Sequence, residues 1–292
     1  MSASDFNEDA INLLQGWLRG RLDAPQRDWL NSQLDALAPE PTDAALHIAF
    51  GMVPRKCGKA DLALSDADRA AAQRALPGWD ARAWSVADCA RILLLSHVSR
   101  NAPNFARLFR SLCATADVVE LTALYRGLPL YARGEALLDQ VGEGLRSNMR
   151  VVFEAIIHHN PYPDRHFDEH RWNHMVLKAL FVGSALAPIQ GLDGRANAEL
   201  ARMLCDFAQE RRAAGRPVPF EIWRCVGPFA KGPILDALAR GLTSADATEQ
   251  RAAALALAAS PDPGAALLLD TKPALREGIS RGQLSWATLH AA

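Results

Sequence analysis

The chain has 292 residues, 49% of them apolar, and a formal net charge of −1. That composition can bury a substantial core, and its charge is too balanced to recruit nucleic acid or an anionic membrane surface. The longest apolar runs, around 92–95 and 252–259, fall well short of the ~20 residues that cross a bilayer, so no transmembrane segment is expected.

The acidic opening MSASDFNEDA has no signal-peptide pattern, which points to a cytoplasmic protein. Strand signals are almost absent, while alanine, leucine and arginine recur at helical spacing. The five cysteines (Cys57, Cys89, Cys113, Cys205 and Cys225) never pair as CxxC and read as reduced and buried. Arg55, Lys56 and Lys59 would favour a Cys57 thiolate were that side chain exposed.

Ser65 with Asp68, and Ser85 with Asp88, have the Ser-x-x-acid form of a capping box and predict two helix starts. Leu93, Leu94, His97 and Val98 continue a helical stripe. Phe105, Leu108, Phe109 and Leu112 repeat it at i, i+3, i+4 and i+7, the mark of one buried face. Gly127-Leu128-Pro129 and the segment 161–168 are the main interior breaks, and neither is long enough to link independent domains.

The segment 158–181, HHNPYPDRHFDEHRWNHMVLKALF, is the richest in chemistry. A helix with Val151, Val152, Phe153, Ala155, Ile156 and Ile157 closes on His158 and His159, where the helix dipole favours histidine. Asn160 before Pro161 starts a turn, and Pro161-Tyr162-Pro163 is expected to run extended, because each proline biases its predecessor away from helix. Asp168 is placed to cap the next helix, with Glu169 in its first turn.

On that helix Trp172, Met175, Val176, Ala179 and Leu180 share a core face, and His170, Asn173, His174 and Leu177 a second one. Lys178 interrupts the apolar run and either snorkels or enters a cavity. His170 and His174, one turn apart, have the spacing that lets two imidazoles hold one zinc, with His166, Asp168 or one of His158 and His159 to complete the set. Arg171 stands where the zinc-protease helix has its general-base Glu, and no cysteine lies nearby. No cofactor is expected.

Gly191-Leu192-Asp193-Gly194-Arg195-Ala196-Asn197 is a glycine-bracketed turn into a helix. It reads either as an anion site helped by Arg195 or as a turn in which Asp193 pairs with Arg195 or caps the helix. Arg202 and Asp206 are spaced for an exposed ion pair. Trp223-Arg224 is expected to pack on the 158–181 segment, gathering Tyr162, Trp172 and Trp223. Residues 230–292 read as HEAT-like helical pairs, with an alanine-rich helix ended by Pro261 lying close between its neighbours. The fold expected is all-α: one helical domain over 1–292, its antiparallel helices stacked like a HEAT-type α-solenoid.

Several motifs resemble the signature of EboA-domain proteins. They are Asn160-Pro161-Tyr162-Pro163, Phe167-Asp168-Glu169, Trp172-Asn173, the 175–183 run MVLKALFVG, the 189–197 run IQGLDGRAN, LARML at 200–204, DFAQER at 206–211, AGRPV at 214–218 and WRCVGPF at 223–229. The signature spans roughly 150–235. The resemblance implies a bacterial protein of ebo-type secondary-metabolite clusters, which also encode enzymes resembling a prenyltransferase, a dehydroquinate-synthase-type cyclase, a metal-dependent hydrolase and a sugar-phosphate-isomerase-like barrel. The family pattern has Gln at the position of His174 and commonly Tyr or Phe at that of His166, so it assigns those histidines no role.

The candidate pocket comprises His159, Asn160, Tyr162, Trp172, Asn173, Lys178, Asp193, Arg195 and Trp223. The function expected is that of an accessory helical protein in biosynthesis or export, binding a partner protein of the same pathway or a small hydrophobic intermediate. The alternatives are an enzyme using His159, Tyr162, Asn173 and His174 for proton transfer, and a metal protein ligated by His166, His170 and His174.

Overall fold

The computed structural model describes residues 7–37 and 41–291. The described residues form eighteen α-helices and three short 3-10 turns joined by loops; no strand occurs among them, and Asp61 and Ser85 form an isolated bridge. No helix among them is long and apolar enough to cross a membrane. The chain divides into two compact units, 1–168 and 169–292.

The first unit holds α1 (Glu8–Arg21), α2 (Ala24–Ala36), α3 (Asp43–Cys57), α4 (Asp66–Ala75), α5 (Val86–Asn101), α6 (Phe105–Thr115), α7 (Val118–Arg126), α8 (Leu138–Arg146), α9 (Arg150–Ile157) and α10 (Tyr162–His166). The helices start where short polar side chains satisfy otherwise unpaired N–H groups. Asn7, Asp23, Thr42 and Asp117 each cap one, and both predicted serine capping boxes form at Ser65 and Ser85. Helix α5 is almost wholly buried and is packed by α1, α2, α3 and α7. Its one buried cation, Arg91, pairs with Glu120 at 2.7 Å and donates to the Phe50 carbonyl at 3.2 Å. The predicted face of α6 is buried at all four positions. A 3-10 turn at Leu128–Leu130 replaces helix at the Gly127 break.

Cys57 ends α3 as a buried thiol that desolvation pushes up to about 11, so the neighbouring lysines and arginine do not make it a thiolate. Val151, expected in the apolar stripe of α9, lies exposed at the start of that helix.

The second unit holds α11 (Glu169–Phe181), α12 (Ala198–Ala213), α13 (Ile222–Val226), α14 (Pro233–Leu242), α15 (Ala247–Ala258), α16 (Pro263–Asp270), α17 (Pro273–Ser280) and α18 (Trp286–Ala291). Helix α15 is touched by α13, α14, α16, α17 and α18. Its buried Ala252, Ala253, Ala254 and Ala256 let neighbours approach on several sides, as the alanine texture predicted. At Gly227 the approach is closest: an added Cβ would lie 2.5 Å from the Ala256 carbonyl oxygen, so only glycine fits.

Candidate functional site

The corner after α9 begins with a backbone reversal. His158 closes the helix through its N–H to the Glu154 carbonyl at 2.9 Å, and His159 takes a left-handed conformation, φ +53°. Histidine is among the few side chains enriched there. The reversal sends Asn160 inward, where it is 2% exposed. Its amide nitrogen donates to the carbonyls of Tyr125 and Ala155, both at 3.0 Å, and its amide oxygen accepts the Tyr162 N–H at 3.0 Å.

That last bond corrects the expectation of an extended Pro-Tyr-Pro. Pro161 has φ −77° and ψ 0°, and Tyr162 and Pro163 open α10 instead. Proline is tolerated in a first helical turn because its missing N–H would be unpaired there anyway, and Asn160 supplies the acceptor that starts the turn.

Tyr162 is fully buried, donates its hydroxyl to the Gly134 carbonyl at 2.8 Å, and lies 4.5 Å from the His166 ring between centroids. Gly134 makes room for both rings: a Cβ there would sit 2.8 Å from His166 Nε2 and 3.2 Å from the Tyr162 ring. Around them opens a cleft of about 670 Å³, walled by Leu128, Pro129, Tyr131, Gly134 and Tyr162 and edged by Asn7, Glu8, Asp9, Glu135, Arg165 and His166. Its size suits a small organic molecule, but Leu128, Tyr131 and Tyr162 are themselves buried, so the surface it offers is mostly the polar and charged rim.

His159 faces a second, smaller cleft of about 170 Å³, shared with Asp80, Arg82, Arg126, Glu154 and His158 among others. Trp17, Trp79 and Trp84, with ring centroids 5.6 and 5.7 Å apart in sequence order, anchor the segment that carries Asp80 and Arg82. The Arg82 guanidinium grips Asp80 at 2.6 Å; burial alone would raise this carboxyl, and Arg82 outweighs it and holds it below the ordinary range. Arg126 bonds Asp88 at 3.2 Å and Arg150 bonds Glu154 at 2.9 Å. Burial pushes His159 below its ordinary value, with Asp80 opposing and Arg82 and His158 reinforcing, so its imidazole is neutral at pH 7.

The remaining predicted residues belong to the second unit. Trp172 is fully buried with the Arg195 guanidinium 4.5 Å from its ring centroid. Asn173 and Asn197 exchange amide hydrogen bonds at 2.8 and 3.2 Å while Asn197 caps α12. Asp193 pairs with Arg224 through two bonds of 2.6 Å, not with Arg195 and not as the cap. The 31-residue reach to α13 holds the glycine-bracketed turn against that helix. Trp223 is fully buried, with Arg212 over its ring at 5.4 Å. Lys178 is half-buried, and desolvation lowers its ammonium pKa. Arg202 makes the expected pair with Asp206, at 2.6 Å, and a second with Glu199.

His159, Asn160 and Tyr162 thus share one corner of the first unit, and Trp172, Asn173, Asp193, Arg195 and Trp223 lock α11, α12 and α13 of the second. Among the described residues no group of three or more His, Cys, Asp or Glu side chains is arranged to hold a metal ion. Sequence reasoning did not reach Glu8, Asp9, Leu128, Pro129, Tyr131, Gly134 and Glu135. They are scattered over the chain and become a wall only through the fold; the one local hint was the helix break at Gly127-Leu128-Pro129.

The described residues are helical without strands, the first unit carries the cleft, and the paired asparagines and stacked cations lock the helices of the second. A family model described as "Metabolite traffic protein EboA" matches residues 10–227, well over half of the chain, and the chain belongs to the EboA family. The match reaches far upstream of the 150–235 signature. No curated protein and no solved structure matches the chain.

Proposed function

We propose that this protein is an accessory carrier that holds a small metabolite in the cleft bounded by Leu128, Pro129, Tyr131 and Tyr162, and passes it to other proteins of a cytoplasmic secondary-metabolite pathway. The observation that carries the reading is the cleft itself: about 670 Å³, with a buried tyrosine wall and a charged rim. The family description, metabolite traffic, supports it. The hydroxyl of Tyr162 and the amide of Asn160 are engaged in structure, which favours binding over chemistry at this corner.

One observation favours a second reading, an enzyme of the same pathway. His159 combines a left-handed backbone with a lowered pKa in its own cleft, features that suit a general base. Metabolite profiling of a deletion strain complemented with His159→Asn separates the two. A carrier is restored by this variant. An enzyme is not, and one pathway intermediate accumulates.

A further inference from the structure

We propose that His170 and His174 form a surface chelate for a divalent transition-metal ion of the zinc, copper or nickel type. Both side chains are exposed on α11, one turn apart, with ring centroids 4.2 Å apart and planes inclined by 34°. Imidazoles at i and i+4 on one helix face are the spacing at which two histidines take one metal ion.

The hydrogen bonding prepares one of them. His174 Nδ1 lies 2.9 Å from the His170 carbonyl oxygen. A carbonyl only accepts, so Nδ1 carries the proton and the lone pair of the neutral ring sits on Nε2, turned away from the backbone. A ligating histidine characteristically donates its other ring N–H to such a carbonyl, which fixes both tautomer and ring orientation.

The helix beneath is fixed as well. Trp172, Met175 and Val176 are buried, and Asn173, 2% exposed between the two histidines, is tied to Asn197. The face that presents the imidazoles therefore cannot rotate away, and little ordering is needed when an ion arrives. Two protein ligands leave the other coordination positions to water or to a carboxylate of a second molecule. Lys178, one turn further along the helix, opposes the cation, so micromolar affinity is expected rather than the tight binding of a closed structural site.

The test uses the full-length chain without an affinity tag. Copper(II) titration followed by electron paramagnetic resonance is expected to give one ion per chain with two equivalent imidazole nitrogens, and calorimetry with zinc(II) a single site. His170→Gln and His174→Gln should each weaken binding by about tenfold or more, a loss of roughly 1.4 kcal/mol per decade, while His47→Gln and His290→Gln leave it unchanged. Both mutated side chains are exposed, so helical content should be retained. If a variant misfolds, the nitrogen count in the wild-type spectrum decides alone. One nitrogen or none, or undiminished binding by the two folded variants, overturns the proposal.

Discussion

The side-chain amide of Asn160 donates to the main-chain carbonyl of Tyr125, 35 positions earlier, at 3.0 Å. This bond ties the corner after α9 to the end of α7, and the same amide also binds Ala155 and the Tyr162 N–H. Asn160→Leu keeps the branched shape and removes all three of these hydrogen bonds, at a cost of about 3 kcal/mol. Urea unfolding should show the lower midpoint with an unchanged slope. A variant as stable as wild type would mean that the corner is held by packing alone.

Gly227 meets the backbone of Ala256, where an added Cβ would lie 2.5 Å from the carbonyl oxygen. A backbone cannot swing aside as a side chain does. Gly227→Ala should therefore destabilise by about 1–3 kcal/mol through forced separation of the turn from α15, read as a drop in melting temperature. Gly215→Ala, at a position with nothing within 4 Å but φ +65°, tests backbone strain without crowding.

Asn173 and Asn197 satisfy each other while Asn197 caps α12. Asn173→Ala removes one partner of a nearly buried pair and should cost about 1–2 kcal/mol. Hydrogen exchange should locate the loss at the first turn of α12. Loss confined to the middle of α11 would contradict the cap-locking role.

His159 and His97 both titrate below the ordinary value of 6.5, burial being the leading cause for each. The folded state thus binds fewer protons than the unfolded chain between those lowered values and 6.5. Stability rises with pH across that window and is fully present above it; it falls on acidification as the unfolded histidines take up protons. His159→Asn, which tolerates the left-handed backbone, and His97→Gln should each flatten the dependence of unfolding free energy on pH. A slope unchanged in the double variant would show that other groups set it.

The helical character and several of its details are legible in the sequence. The Ser65 and Ser85 boxes, the buried face of α6 and the alanine-rich α15 follow from residues within a turn or two of one another, where spacing alone carries the information. The 158–181 segment is legible as a corner, while its detail depends on contacts that spacing does not carry. Pro-Tyr-Pro becomes the first turn of a helix because Asn160 supplies an acceptor, a contact that proline rules alone omit. Asp193 reaches Arg224 rather than its neighbour because α13 is brought to it by the fold. The large cleft was hidden altogether, since Glu8, Leu128, Tyr131, Glu135 and Tyr162 have no common periodicity. The signature asparagines drew attention to amides whose hydrogen bonds are spent on structure.

Glu135 stands exposed at the rim of the large cleft, so Glu135→Trp plugs it without touching the core. The decisive measurement is the small-molecule content of protein purified from its own host, read by mass spectrometry of the denatured extract. A metabolite that accompanies the wild-type chain in near-stoichiometric amount, and is lost from Glu135→Trp while folding and melting temperature are preserved, is the result expected of a carrier with this cleft. The same metabolite recovered equally from both proteins, or none from either, would contradict it.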